Sequence, residues 1–215
     1  MAVKISTLGG ALLSLQAPDR QGLLADLLLG GQAGDGLHLL PAPGRALHRQ
    51  AWHAVPLVEE ASVGVRLVSP GAPAVVARYA LDDGGTLALH CEVAADAPAA
   101  LCLAVTLRLD GQLMALRAGR VVPAGAHEQD VAGGPWDFDR PRLAAELTGP
   151  ARYLPGGGGG LALRLLDPAG GRQLELEGGL ASLRIACGEP AGTLRLEPVL
   201  AAPGGRIAFR CSAQT

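Results

Sequence analysis

Short runs of alternating apolar and polar residues recur along this chain of 215 residues. An alternation with a period of two places every second side chain on the same face of an extended strand, so each run predicts a strand with one face toward a core. The clearest runs cover residues 62–68, 86–93, 101–109, 161–166, 173–177, 183–187 and 193–197. The pattern therefore predicts a protein built mainly from β-strands.

Glycine, proline and aspartate separate these runs. Segments with the residue types of tight turns are 82–85, 110–111, 167–171 and 203–205. Only residues 21–29 and 143–147 fit a helical pattern. Many short strands joined by turns favour an all-β fold, either an antiparallel sandwich or a barrel. Because the chain has no internal repeat and no linker, we expect a single domain over residues 1–215.

Composition excludes several classes of function. The chain is 49% hydrophobic and 18% charged, with a formal net charge of −2, which argues against disorder and against nucleic-acid binding. No apolar run approaches the roughly 20 residues that cross a bilayer, and none at the N-terminus resembles a signal peptide. We therefore expect a cytoplasmic protein without a membrane partner. The four cysteines are widely spaced and predict buried free thiols, so we expect neither a metal site nor a cofactor.

Four blocks follow one another across most of the chain. They read GGALLSL at 9–15 with PDRQG at 18–22 and DLLLG at 26–30, YALDDGGTL at 79–87, GPWDFDRP at 134–141, and RLEPV at 195–199. In this order the blocks resemble motifs of the aldose 1-epimerase (galactose mutarotase) family. The resemblance implies a twisted antiparallel β-sandwich, the galactose mutarotase-like supersandwich, with a cleft for a small-molecule sugar.

The resemblance also implies a chemistry. Members of that family interconvert the α and β anomers of a hexose by opening the ring, with a Glu as base and a His as acid. Glu197 matches the base, since it ends an alternating strand and precedes Pro198. The acid does not survive, because the family's histidine falls at about Thr106, and a hydroxyl cannot replace an imidazole near neutral pH. The family's helper Asp also has no counterpart between Asp139 and Asp167.

The sugar-contacting residues of the family fall within residues 36–58, where two registers compete. One register places Arg45 on the family's sugar-contacting Arg and needs the smaller deletion, so we prefer it. The other places His48, or His38, on a family histidine, with Trp52 as the Trp that follows. We keep Arg45, His48 and Trp52 as candidate substrate-binding residues, beside Glu197 as candidate catalytic residue.

Three hypotheses follow for this shortened, catalytically degenerate chain. It is a working epimerase whose proton donor is another residue, such as His48 or Arg45. Alternatively, it binds a carbohydrate without turning it over, because a fold does not imply a function. In the third hypothesis it is a structural protein that forms a homo-oligomer through an exposed sheet, which its high mean hydropathy of +0.27 favours.

Overall fold

The computed structural model describes residues 1–32, 35–40, 46–71, 73–94, 100–108, 111–157, 160–187, 192–200 and 204–213. Almost all regular structure in these residues is extended. The strands are β1 Ala2–Ile5, β2 Leu12–Pro18, β3 Leu24–Asp26, β4 Gly36–Leu40, β5 His53–Glu59, β6 Ser62–Val68, β7 Ala74–Asp82, β8 Thr86–Ala94, β9 Ala100–Arg108, β10 Leu113–Arg117, β11 Arg120–Pro123, β12 Gln129–Asp130, β13 Arg142–Leu143, β14 Ala151–Leu154, β15 Ala162–Leu166, β16 Arg172–Gly178, β17 Leu180–Cys187, β18 Thr193–Leu200 and β19 Gly204–Ala213. Two single-turn 3₁₀ helices, Leu47–Arg49 and Ala144–Glu146, complete the described elements.

The strands form three antiparallel sheets. A nine-stranded sheet has the order β13-β10-β15-β16-β19-β8-β7-β6-β5, and a seven-stranded sheet has the order β12-β11-β14-β17-β18-β9-β4. A small third sheet has the order β1-β2-β3. The buried faces of all three sheets contribute to one hydrophobic cluster, so the prediction of an all-β antiparallel sandwich is confirmed.

The core follows the alternation of the strands. On β7, Val75, Ala77 and Tyr79 are buried while Arg78 between them is exposed. Tyr79 is fully buried, and its hydroxyl donates a hydrogen bond of 2.6 Å to the carbonyl oxygen of Gly10. Gly10 has a φ of 61°, in the left-handed region that favours glycine. This buried hydrogen bond fastens the N-terminal segment to the nine-stranded sheet.

The sequence-based strands are confirmed, with small shifts at their ends. Residues 62–68 coincide with β6, and 86–93 fall within β8. Of the predicted run 101–109, residues 101–108 fall within β9, and residue 109 lies outside the described residues. The predicted turns at 82–85 and 167–171 connect β7 to β8 and β15 to β16. Parts of the predicted turns at 110–111 and 203–205 lie outside the described residues.

The two predicted helices are wrong. Within 21–29, Asp19 accepts hydrogen bonds from the backbone N–H groups of Gln21 and Leu23, which forms a turn, and the chain then pairs with β2 as β3. Cross-strand pairing overrides the helix propensity of leucine and alanine here. Within 143–147, Leu143 ends β13 and Ala144–Glu146 form a single 3₁₀ turn. Among the described residues, no helix has the length and apolar character needed to cross a membrane.

Candidate functional site

A groove of about 500 Å³ lies on the face of the seven-stranded sheet that points away from the core. Side chains of five neighbouring strands line it. They are His38, Leu40, Ala100, Cys102, Ala104, Arg152, Ser182, Arg184, Glu197 and Val199. Small side chains on β9 form its floor, and polar side chains from β4, β14, β17 and β18 surround that floor.

Strand register explains why these residues meet. His38, Cys102, Val199 and Ser182 are successive cross-strand partners and form one row. Glu197 lies two positions before Val199 on β18, so both side chains leave the same face of the sheet. Glu197, Arg184 and Arg152 are successive partners on β18, β17 and β14 and form a second, charged row.

Two arginines hold the carboxylate of Glu197. Arg184 donates from Nη1 to Oε2 at 2.9 Å, and Arg195 donates from Nε to Oε1 at 2.8 Å. The Glu197 side chain is only 21% exposed, and burial by itself would raise its pKa. The hydrogen bonds and charges of Arg195 and Arg184 outweigh this effect and hold the pKa of Glu197 below its usual range. Glu197 is therefore ionised at neutral pH.

A second carboxylate is buried next to Arg195. Asp35, whose side chain is 2% exposed, accepts hydrogen bonds at Oδ1 from Arg195 Nη1 at 3.1 Å and from Thr106 Oγ1 at 3.2 Å. Burial raises the pKa of Asp35, although its hydrogen bonds and the Arg195 charge oppose the increase. Arg195 thus bridges two carboxylates, and this bridge fixes the direction in which its guanidinium meets Glu197.

Two histidines stack at the β4 side of the groove. The imidazole rings of His38 and His48 lie 4.4 Å apart between centroids, at an interplanar angle of 26°. Burial lowers the pKa of His48, and the nearby charges of His38, Arg49 and Arg195 lower it further. His48 is therefore neutral at neutral pH, and its Nδ1 has no hydrogen-bond partner among the described residues. His38 brings an imidazole into the groove that Glu197 lines.

The structure brings together some of the sequence-based candidates. Glu197 lines the groove, whereas His48 does not line it but stacks on His38, which does. Trp52 is 4% exposed, and its indole N–H donates to the Leu47 carbonyl oxygen at 3.2 Å, so it packs in the core away from the groove. Arg45 lies outside the described residues. Thr106, at the position expected for the acid, is buried against Asp35.

Four polar residues of the site escaped the sequence reasoning: Asp35, Arg152, Arg184 and Arg195. His38 was raised there only as an alternative to His48. A signal existed for Arg195, because positions 195 and 197 of an alternating strand share a face. Arg184 also occupies a polar position of a predicted strand. No local pattern marks Asp35, which joins the site only through its long-range hydrogen bonds with Thr106 and Arg195.

Comparison with solved structures identifies the fold. A GalM/aldose epimerase homologue from C. elegans superimposes with a TM-score of 0.80 at 17% identity, covering 99% of this chain and 96% of that one. The galactose 1-epimerase of Lactobacillus acidophilus matches with a TM-score of 0.73 at 13% identity, covering 100% of this chain and 92% of that one. The chain has the aldose epimerase fold. The TM-scores establish the galactose mutarotase-like fold, and the low identities leave the activity to be argued from the site.

The same fold also occurs within a larger protein. A TPR-domain containing protein from Parabacteroides distasonis matches with a TM-score of 0.72 at 10% identity, covering 99% of this chain and 45% of that one. No protein-family model matches the sequence, and no curated protein is significantly similar to it. Activity therefore has to be inferred from the residues that line the groove.

Proposed function

We propose that the groove binds a small-molecule sugar and that the protein interconverts its α and β anomers. The observation that supports this most directly is the presence of an ionised carboxylate, Glu197, and an imidazole, His38, in one groove of an aldose epimerase fold. The groove's volume, about 500 Å³, lies within the range typical of small-molecule sites.

In the proposed reaction Glu197 removes the proton from the anomeric hydroxyl. The electron pair forms the carbonyl at C1, the bond between C1 and the ring oxygen breaks, and the ring oxygen takes a proton from the acid. Rotation about the bond between C1 and C2 followed by closure gives the other anomer and returns both protons. His38, stacked on His48, is the donor in this scheme, because imidazoles exchange protons near neutral pH.

The hydrogen bonds from Arg184 and Arg195 to Glu197 should slow this reaction. A carboxylate whose pKa is held below its usual range is a weaker base, so we expect slower turnover than an unclamped Glu would support. The same clamp favours the second candidate function, a carbohydrate-binding protein without turnover. In that case Glu197 and the two arginines hold sugar hydroxyl groups as fixed acceptors and donors.

Polarimetry separates the two functions. Freshly dissolved α-D-galactose and α-D-glucose are followed with the wild type, Glu197→Gln and His38→Asn. Loss of either proton-transferring group should slow enzymatic mutarotation by about 100-fold or more. Glu175→Gln is the matched control, because Glu175 lies on the nine-stranded sheet, outside the groove, and should leave the rate unchanged.

The outcomes distinguish an epimerase from a carbohydrate-binding protein. Acceleration over buffer that both groove variants abolish supports the epimerase. Wild-type acceleration that survives in Glu197→Gln contradicts the assigned base. No acceleration, together with thermal stabilisation by one of these sugars that Glu197→Gln removes, supports the binding protein instead.

A further inference from the structure

A second polar surface lies on the nine-stranded sheet, away from the sugar groove. Arg66 on β6, Arg78 on β7, His90 on β8 and Arg206 on β19 are successive cross-strand partners. All four side chains are exposed. They form a single basic row across four adjacent strands, and with strands about 4.8 Å apart the row is roughly 14 Å long.

This arrangement is electrostatically unfavourable in the protein alone. Like charges placed directly opposite each other on neighbouring strands repel. Arg78 is paired with Glu59, and His90 lies 3.4 Å from Glu92, so two members of the row have a carboxylate partner. Within the described part of the chain, Arg66 and Arg206, at the two ends of the row, form no ion pair. The ends of the row are therefore free to take an external anion.

The neighbouring row leaves room for a ligand. On each of the same strands, a residue two positions from the basic one is small. These small residues are again successive cross-strand partners: Gly64, Ala80, Ala88 and Ala208. Each strand thus presents one basic side chain and one small residue on the same face. The result is an open groove of about 450 Å³ that Arg66, Arg78, His90 and Arg206 line.

We propose that this basic row binds a small ligand carrying two or more tetrahedral oxyanion groups, as phosphate or sulfate esters do. Guanidinium groups suit such oxyanions because they donate two parallel hydrogen bonds in one plane. The separation of Arg66 and Arg206 selects a ligand with at least two anionic groups over a single ion. The small-residue row lets the ligand's body lie against the sheet between its charged ends.

The test uses the full chain with tripolyphosphate and with a multiply sulfated disaccharide as probes, titrated by calorimetry. At about 50 mM salt, screening is weak enough to measure such binding. Arg66→Gln with Arg206→Gln should weaken binding of the preferred probe roughly tenfold or more. Arg164→Gln with Arg210→Gln is the control, because both arginines are exposed on the same sheet outside the row and the change in net charge is equal.

A second readout is the melting temperature, measured with and without the probe. Removing Arg66 relieves its repulsion with Arg78 on the neighbouring strand. The double variant should therefore melt at a temperature equal to or above that of the wild type, and the probe should no longer raise it. The stronger of the two probes identifies phosphate or sulfate as the group that is recognised. Absence of wild-type binding to both probes, or an equal loss in both double variants, would overturn the proposal. Tighter binding of a single-stranded oligonucleotide of equal charge would also overturn it.

Discussion

At the scale of single residues, burial and charged neighbours set the pKa of each carboxylate in the site. Glu197 and Asp35 are both carboxylates near Arg195, yet their pKa values move in opposite directions. Burial dominates at Asp35, whose side chain is 2% exposed, while two guanidiniums dominate at Glu197. The same kind of group therefore has two roles here, one as an ionised carboxylate in the groove and one as a support behind it.

His48 makes a testable contribution to the dependence of stability on pH. Its pKa is lowered in the folded state, so between the ordinary histidine value near 6.5 and the lower folded value the unfolded chain binds more protons. The free energy of unfolding should fall as the pH drops through this window. His48→Gln should reduce that loss, measured from urea unfolding at about pH 7.5 and about pH 5.5.

The control for this effect is His53→Gln, on the exposed edge of β5, which should keep the wild-type dependence on pH. If His48→Gln and the wild type lose the same free energy of unfolding between the two pH values, the lowered pKa of His48 is not what makes this fold sensitive to acid.

At the scale of elements, the hairpin of β5 and β6 extends beyond the core. Val58 and Val63 are cross-strand partners, 83% and 56% exposed. With β1 the hairpin borders an apolar groove of about 480 Å³. Among the described strands β5 is the last of its sheet, and Pro56 lacks the N–H that edge-to-edge pairing needs. Contact with another copy would therefore use the apolar side chains and not the strand edge.

The sequence-based hypothesis of a homo-oligomer can be tested on this hairpin. We expect concentration-dependent self-association, because exposed apolar patches favour contacts between proteins. Val58→Lys with Val63→Lys should weaken it by about tenfold or more, since association would bury two unpaired charges. Sedimentation velocity over a range of concentrations measures the effect.

A matched pair of substitutions lies on another element. Leu23 and Leu24 are 66% and 52% exposed near β3, so Leu23→Lys with Leu24→Lys adds the same charge elsewhere. This control should associate like the wild type. A wild type that sediments as a monomer at every concentration would remove the hairpin as an interface.

At the scale of the whole molecule, the two larger sheets share one hydrophobic core. Trp52 belongs to that core, and Trp136 packs against it from a loop, where its carbonyl oxygen accepts a hydrogen bond from the Tyr153 hydroxyl. The prediction of a single domain over residues 1–215 therefore has a direct test. In each of Trp52→Phe and Trp136→Phe, the fluorescence of the remaining tryptophan should give the same urea midpoint as the far-ultraviolet circular dichroism of that variant.

A core substitution sharpens this test. Leu103 on β9 is fully buried, and Leu103→Ala should destabilise the fold by about 3 kcal/mol. In a single cooperative unit the loss is the same for both tryptophan probes. A fluorescence midpoint that differs from the circular-dichroism midpoint of the same variant, or a destabilisation by Leu103→Ala seen by one tryptophan only, would indicate more than one unit.

Local patterns determined much of this protein. The alternation of apolar and polar residues predicted β6, β8 and β9. The alternation before the Glu-Pro motif predicted that Glu197 lies on a strand. The two helix predictions failed because leucine and alanine favour helices in isolation, while pairing with β2 decided the conformation of residues 24–26. Alternation alone is also enough to place Arg195 and Glu197 on one face of their strand.

Tertiary structure decided which strands are neighbours, and with them the composition of the site. Arg184 meets Glu197 because β17 pairs with β18, and Asp35 reaches Arg195 across 160 positions of sequence. His38 enters the groove because β4 pairs with β9, and register sets which side chain it faces. A strand's own sequence specifies which residues point outward. Only long-range pairing specifies what they point toward, because cross-strand contacts carry no fixed spacing along the chain.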